Sequence, residues 1–234
     1  MDPHPLIHAA RTRAAAAGGA LLAAGTRVLS AVRPAGKPLH PEGDLRAGRL
    51  RRAGSAEPSG VAWIDEPGED EVVVRLSRAI GVPSPLPDIH GLALRVPTAD
   101  GPGDLLFAST GWGRLTRFLL TGGRHPRSRP MTTLLPYDTP AGPVLLGVRG
   151  ARAPETYELR WAHAAGPWHP FAELRLVPDT SDDGPVSFDP VRHRIPGLRQ
   201  YDVVRRLREP AYRRARASRA GDPSPTTEES PRVH

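Results

Sequence analysis

Three residues near the carboxy-terminal end have the types and spacing to hold and tune a metal. In REPAYRRARASR, from Arg208 to Arg219, Tyr212, Arg216 and Arg219 stand at i, i+4 and i+7, the spacing of one helix face. Proline suits the first turn of a helix, where its missing N–H costs nothing, so a helix is expected to open at Pro210. Positive charge beside a phenol favours its ionised form, and the arginines are expected to pull the Tyr212 hydroxyl below its ordinary value of about 10. A phenolate is a good ligand for ferric iron. A solvated basic helix would show the same spacing, because so arginine-rich a stretch produces it by composition alone.

Two other stretches carry candidate chemistry. KPLHPEGDLRAGRL, from Lys37 to Leu50, sets His40 ahead of Gly43, Gly48 and Leu50 in a Gly/Pro-rich setting. By itself this reads as a histidine in a loop next to a turn. Residues 71–110 hold three apolar runs, at 71–77, 91–96 and 104–109, broken by turn clusters, and they read as strands. The last two are joined by ThrAlaAspGlyProGly, a hairpin-like connection.

Taken together, the three stretches resemble the catalase superfamily. Arg208-xxx-Tyr212-xxx-Arg216-xx-Arg219 is similar to that family's proximal haem motif, R-xxx-Y-xxx-(H or R)-xx-R. His40-xx-Gly43-xxxx-Gly48-x-Leu50 is similar to the segment around its distal histidine, which in the family follows a short strand. Arg75, Ser77, Asp88, Gly91, Ala93, Arg95, Thr98, Gly101 and Asp104 match, in order, the family's core strands. PVSFDPVRHRIPGL, at 185–198, is similar to the segment that leads to the proximal helix in short relatives.

The resemblance implies a mainly β (α+β) fold, a catalase-like antiparallel β-barrel with an N-terminal helix and a C-terminal helix on the proximal side of haem b. It implies Tyr212 as the iron ligand, with Arg216 and also Arg208 keeping it ionised and Arg219 on the same face. Lys37 and Arg75 would meet the propionates, and His40 would act as distal acid/base. Lys37 stands where the family has an arginine, keeping the charge and losing the planar fork. Where the family has a distal asparagine, this chain has Ala108 or Ser109; the Ser109 hydroxyl can donate one hydrogen bond there, with a shorter reach. The long wrapping loop and carboxy-terminal helical domain of full-length catalases do not fit in 234 residues, so a more open haem pocket is expected. That favours peroxidase activity or the handling of organic hydroperoxides over rapid dismutation of hydrogen peroxide, with an electron donor the sequence does not name.

Composition bounds the rest. A length of 234 residues suits one barrel domain, and 28 prolines point to short strands with many loops. The domain is placed at 37–219, after an Ala-rich helix or arm at 1–36 and before a polar tail at 220–234 expected to be disordered. The net charge of +7 would suit an acidic partner, but with aromatics at 5 % stacking platforms are scarce, and no nucleic-acid partner is expected. Having no cysteine, the chain forms no disulfide and no thiolate-ligated site, which fits a cytoplasmic location. The uncharged run at 14–26 leaves export open and is too short to span a bilayer. Further strands are read at 144–148, 156–162 and 168–177, with an exposed loop at 122–130 and with Trp161, Trp168 and Phe171 in the core. Two other functions remain open: a haem-binding protein without catalysis, and a phosphodiesterase-type hydrolase, for which the scattered histidines give no ligand spacing.

Overall fold

In HGLALRV the leucine and valine side chains alternate with small or charged ones, a pattern that buries one side of a strand. The computed structural model describes residues 43–79, 81, 85–177, 186–206, 209 and 213. Among these are strands β1 (Gly43–Arg52), β2 (Gly68–Arg78), β3 (His90–Thr98), β4 (Gly101–Ser109), β5 (Met131–Thr132), β6 (Tyr137–Thr139), β7 (Gly142–Gly150), β8 (Thr156–His163) and β9 (His169–Leu176). A short helix, α1 (Ala62–Asp65), lies between β1 and β2, and a 3-10 turn, Thr116–Phe118, between β4 and β5.

Every pairing is antiparallel, and the strands follow the ring β1, β2, β3, β4, β5, β7, β8, β9 and back to β1. This is a closed eight-stranded barrel, with β6 lying beside β5 along the same side of β7. Closure removes the free edges that an open sheet would expose. The interior holds the apolar core: Leu50, Val74, Leu94, Val144, Leu174 and Trp161 are all buried there. The end of the barrel at the β1–β2 connection is stoppered by Val61 and Ile64, which join the same core with Ile195 and Leu198. The Asp65 carboxylate accepts hydrogen bonds from the backbone N–H groups of Ser59, Gly60 and Val61, fixing that plug.

Two hairpins are built alike. At Thr98–Gly101 and Thr139–Gly142 the threonine hydroxyl donates to the glycine carbonyl, at 2.6 and 2.7 Å. The glycines have φ of +108° and +111°, which a side chain would strain.

The strands expected at 71–77, 91–96, 104–109, 144–148, 156–162 and 168–177 correspond to β2, β3, β4, β7, β8 and β9, and the loop at 122–130 contains no strand. Three expectations need correction. Gly43 and Gly48, read as part of a Gly/Pro-rich loop, lie within β1 itself. Helical backbone starts at residue 202, well ahead of Pro210, with Asp202 in the first turn where a negative charge suits the helix dipole; we call residues 202–206 α2. Trp168 is not in the core: it stacks on Trp112 outside β7, with ring centroids 4.3 Å apart. A Cβ at Gly147 would come within 2.9 Å of both indoles, so the glycine makes room for the pair. The proposed N-terminal helix and the polar tail lie outside the described residues. Among the described residues no helix is long and apolar enough to cross a membrane.

Tyr157, on β8, supplies a pH test of the core. Burial raises its pKa, partly offset by Arg127, whose guanidinium lies 5.6 Å from the ring centroid. A tyrosine whose folded value is raised contributes stability that is complete below about pH 10 and is lost as pH rises through the folded value. Denaturation midpoints of the wild type are therefore expected to fall above about pH 10, and those of Tyr157→Phe to fall less steeply. Parallel alkaline profiles would remove Tyr157 as the cause.

Candidate functional site

Residues that face each other on paired strands point to the same side of a sheet. On β1 to β4 the inward side is taken by Leu50, Val72, Val74, Leu92, Leu94 and Leu105, so the alternate residues form the outer face. Three rows cross it. The first is Gly43, Ser77, Gly91 and Ala108; the second is Leu45, Arg75, Ala93 and Leu106; the third is Ala47, Val73, Arg95 and Asp104. An outer barrel face would ordinarily be polar. Here the first row has no side chain larger than serine, and the second is apolar except for Arg75.

The result is a shallow trough with one cation over it. A Cβ at Gly43 would sit 2.7 Å from Arg75 Cδ, and one at Gly91 would sit 2.7 Å from Ser77 Oγ, so the two glycines admit these side chains. The Arg75 guanidinium then lies 5.4 Å from the Phe188 ring centroid, and Arg95 approaches the same ring at 5.1 Å.

A buried polar network closes the third row. Arg95 binds Asp104 through two hydrogen bonds, Nε to Oδ1 at 2.7 Å and Nη2 to Oδ2 at 2.8 Å. Its Nη2 also donates to the Ser187 carbonyl at 2.6 Å. Asp104 Oδ2 accepts the Asp189 backbone N–H at 2.6 Å and pairs with His193 Nδ1 at 2.8 Å. Asp104 returns its own N–H to the His193 carbonyl at 3.0 Å. One carboxylate on β4 thus fastens residues 187–193 to the barrel, just before α2. The Asp104 carboxylate is buried, so its charge must be compensated, and Arg95 does this through a planar, two-pronged contact.

The candidate residues fall into three groups. Arg75 lies on the outer face beside the trough. Ser109 lies on the opposite side: it is fully buried, accepts the His90 N–H at 3.0 Å and donates to the Thr121 carbonyl at 2.7 Å. Ser109 and Arg75 thus stand on opposite faces of the sheet, and the outward position next to Ser109 is Ala108, which has no polar side-chain atom. Lys37, His40, Arg208, Tyr212, Arg216 and Arg219 lie outside the described residues.

Sequence reasoning did not assign Arg95, Asp104 or His193 a role. The signal for the first two was present: they flank a tight hairpin at positions that its register sets opposite each other. The His193 contact spans 89 residues, and local pattern cannot show it.

Among the described residues, Arg75 is the candidate that could pair with a carboxylate. The row of small side chains lies beside it, with the Arg75 side chain over Gly43 and the Ser77 hydroxyl over Gly91. No family model and no curated protein matches this sequence.

Proposed function

We propose that this chain is a haem-binding, catalase-like oxidoreductase acting on hydrogen peroxide or organic hydroperoxides. The observation that carries the reading is the row of Gly43, Ser77, Gly91 and Ala108 beside Arg75 on an outer barrel face. It agrees with the resemblance of the surrounding motifs. Tyr212 would hold the iron as a phenolate, with Arg208, Arg216 and Arg219 favouring its ionised form. Arg75 and Lys37 would pair with the propionates. Bound haem supplies the redox-active iron on which peroxide reduction depends. His40, three residues ahead of Gly43, is assigned the proton transfer between the two oxygens of the hydroperoxide, giving water or an alcohol. Phe188 and the segment fastened by Asp104 screen part of the same face from water.

A second reading, haem binding without catalysis, is favoured by one observation. The outward position in the family's asparagine region is Ala108, so no side-chain donor stands there to polarise peroxide.

Haemin titration of the purified protein, followed by absorption, tests the first reading against Tyr212→Phe. A sharp Soret band with ferric tyrosinate features is expected for the wild type and not for the variant. If both spectra resemble free haemin, the haem reading falls. Should the wild type load haem, peroxide turnover is then compared with His40→Ala: equal rates would select the non-catalytic reading.

A further inference from the structure

The β4–β5 connection departs from the charge pattern of the rest of the chain. From residue 105 to residue 137 there are five arginines and no aspartate or glutamate. Three of the five are committed internally, Arg129 by donating to the Gly122 carbonyl at 3.3 Å. Arg117 is buried, donates to the carbonyls of Gly113 and Ala164, and lies 4.2 Å from the Trp168 ring centroid. Arg127 donates to the carbonyls of Ala151 and Ala153. Arg114 and Arg124 are exposed, and neither makes a hydrogen bond or salt bridge with the described residues.

Apolar side chains stand on the same connection. The 3-10 turn turns Arg117 and Phe118 inward and leaves the residues flanking it, Leu115 and Leu119, 71 % and 50 % exposed. Leu86 is a third exposed leucine, and its neighbour Pro87 packs at Gly122 of this connection. Asp88 and Gly123 bridge the two loops through paired backbone hydrogen bonds at 2.9 Å. Exposed leucines carried singly are ordinary, but here they share one short connection with uncompensated arginines. The crowding is felt locally: burial and then the nearby Arg114 lower the pKa of the Arg117 guanidinium.

We propose that the β4–β5 connection docks on an anionic lipid bilayer, with Leu115 and Leu119 entering the interface and Arg114 and Arg124 meeting lipid phosphates. Leucine and arginine side by side match the two layers of a bilayer surface, an apolar boundary beneath anionic headgroups. A nucleic-acid surface would use the arginines and leave the leucines without a role. The rigid backing of the turn, with Arg117 anchored beneath it, presents these side chains without a folding step.

The test is co-sedimentation of the full chain with vesicles of phosphatidylcholine alone and of phosphatidylcholine mixed with phosphatidylglycerol. Binding is expected to the mixed vesicles and not to phosphatidylcholine, and to weaken as salt is added. Arg114→Gln and Arg124→Gln are each expected to weaken it about fivefold. Leu115→Ser with Leu119→Ser is expected to weaken it about tenfold or more. All four positions are exposed, so circular dichroism should find the barrel unchanged. Failure of the wild type to bind the mixed vesicles overturns the proposal. So does undiminished binding by the double leucine variant, or displacement from vesicles by duplex DNA that this variant binds as well as the wild type does.

Discussion

Replacing Asp104 by alanine is expected to destabilise the fold by about 3 kcal/mol and to loosen the segment that leads into α2. Removing one partner of a buried ion pair costs more than the pair itself contributes, because the remaining charge is left without compensation. Here that charge is Arg95, whose side chain is 22 % exposed, so water recovers part of the loss and the lower end of the usual range applies. The Asp189 N–H and His193 Nδ1 lose their acceptor in the same step. Chemical denaturation gives the total. Amide exchange gives its location, with the largest gain expected at residues 187–193 and little at β8. A loss below about 1 kcal/mol, or exchange raised evenly around the barrel, would show that Asp104 is not the fastening point. Asp104→Asn keeps one acceptor and is expected to fall between the two.

The second large effect concerns chemistry and rests on haem binding. Ala108 faces the trough, opposite Gly91, where a longer side chain has no Cβ to meet across the strand pair. Installing Ala108→Asn is expected to raise peroxide turnover of the haem-loaded protein by up to about 100-fold, the size of effect associated with one positioned donor at a developing charge. Ser109→Ala is expected to leave turnover nearly unchanged. Its loss appears in stability, about 1–3 kcal/mol, because the buried His90 N–H loses its acceptor. The opposite pattern, a rate that collapses in Ser109→Ala and does not move in Ala108→Asn, would restore Ser109 as the distal group.

That contrast shows where the sequence could and could not be read. Parity along a strand decides which of two adjacent residues meets a ligand, and a shift of one residue exchanges the faces. Alignment to a motif left 108 and 109 equally placed; only the pairing of Ala108 with Gly91 separates them. Strands β2, β3, β7 and β8 were legible because their inward residues are valine, leucine, tyrosine and tryptophan. In β1 only Gly48 and Leu50 are buried among charged neighbours, so GDLRAGRLRR does not read as a strand without its partners. Trp168 was misplaced for a related reason: composition says that indoles are usually buried, and nothing local tells that Gly147 offers an external shelf. The trough itself was half legible. Gly43, Ser77 and Gly91 were each noted, but their lying in one row depends on the register of three ladders.

The way the barrel closes also orders its assembly. Nearly every ladder joins strands that are neighbours in the chain, so hairpins can form with little loop-closure cost. The β1–β9 seam is different, since it brings residues 48–52 against residues 172–176. Until that seam zips, the meander is an open ribbon whose two edges could pair with another copy. The outward side chains along those edges are Arg49 and Arg51 on one and Glu173 and Arg175 on the other. Arg51 faces Glu173 in the native register, while Arg49, opposite Arg175, pairs with Glu69 on β2 at 3.2 Å. The inward Leu50–Leu174 pair ties the register to the core, and charge at both edges discourages addition of further strands. Arg49 and Arg51 thus place charge on an edge that is free only while the barrel is open.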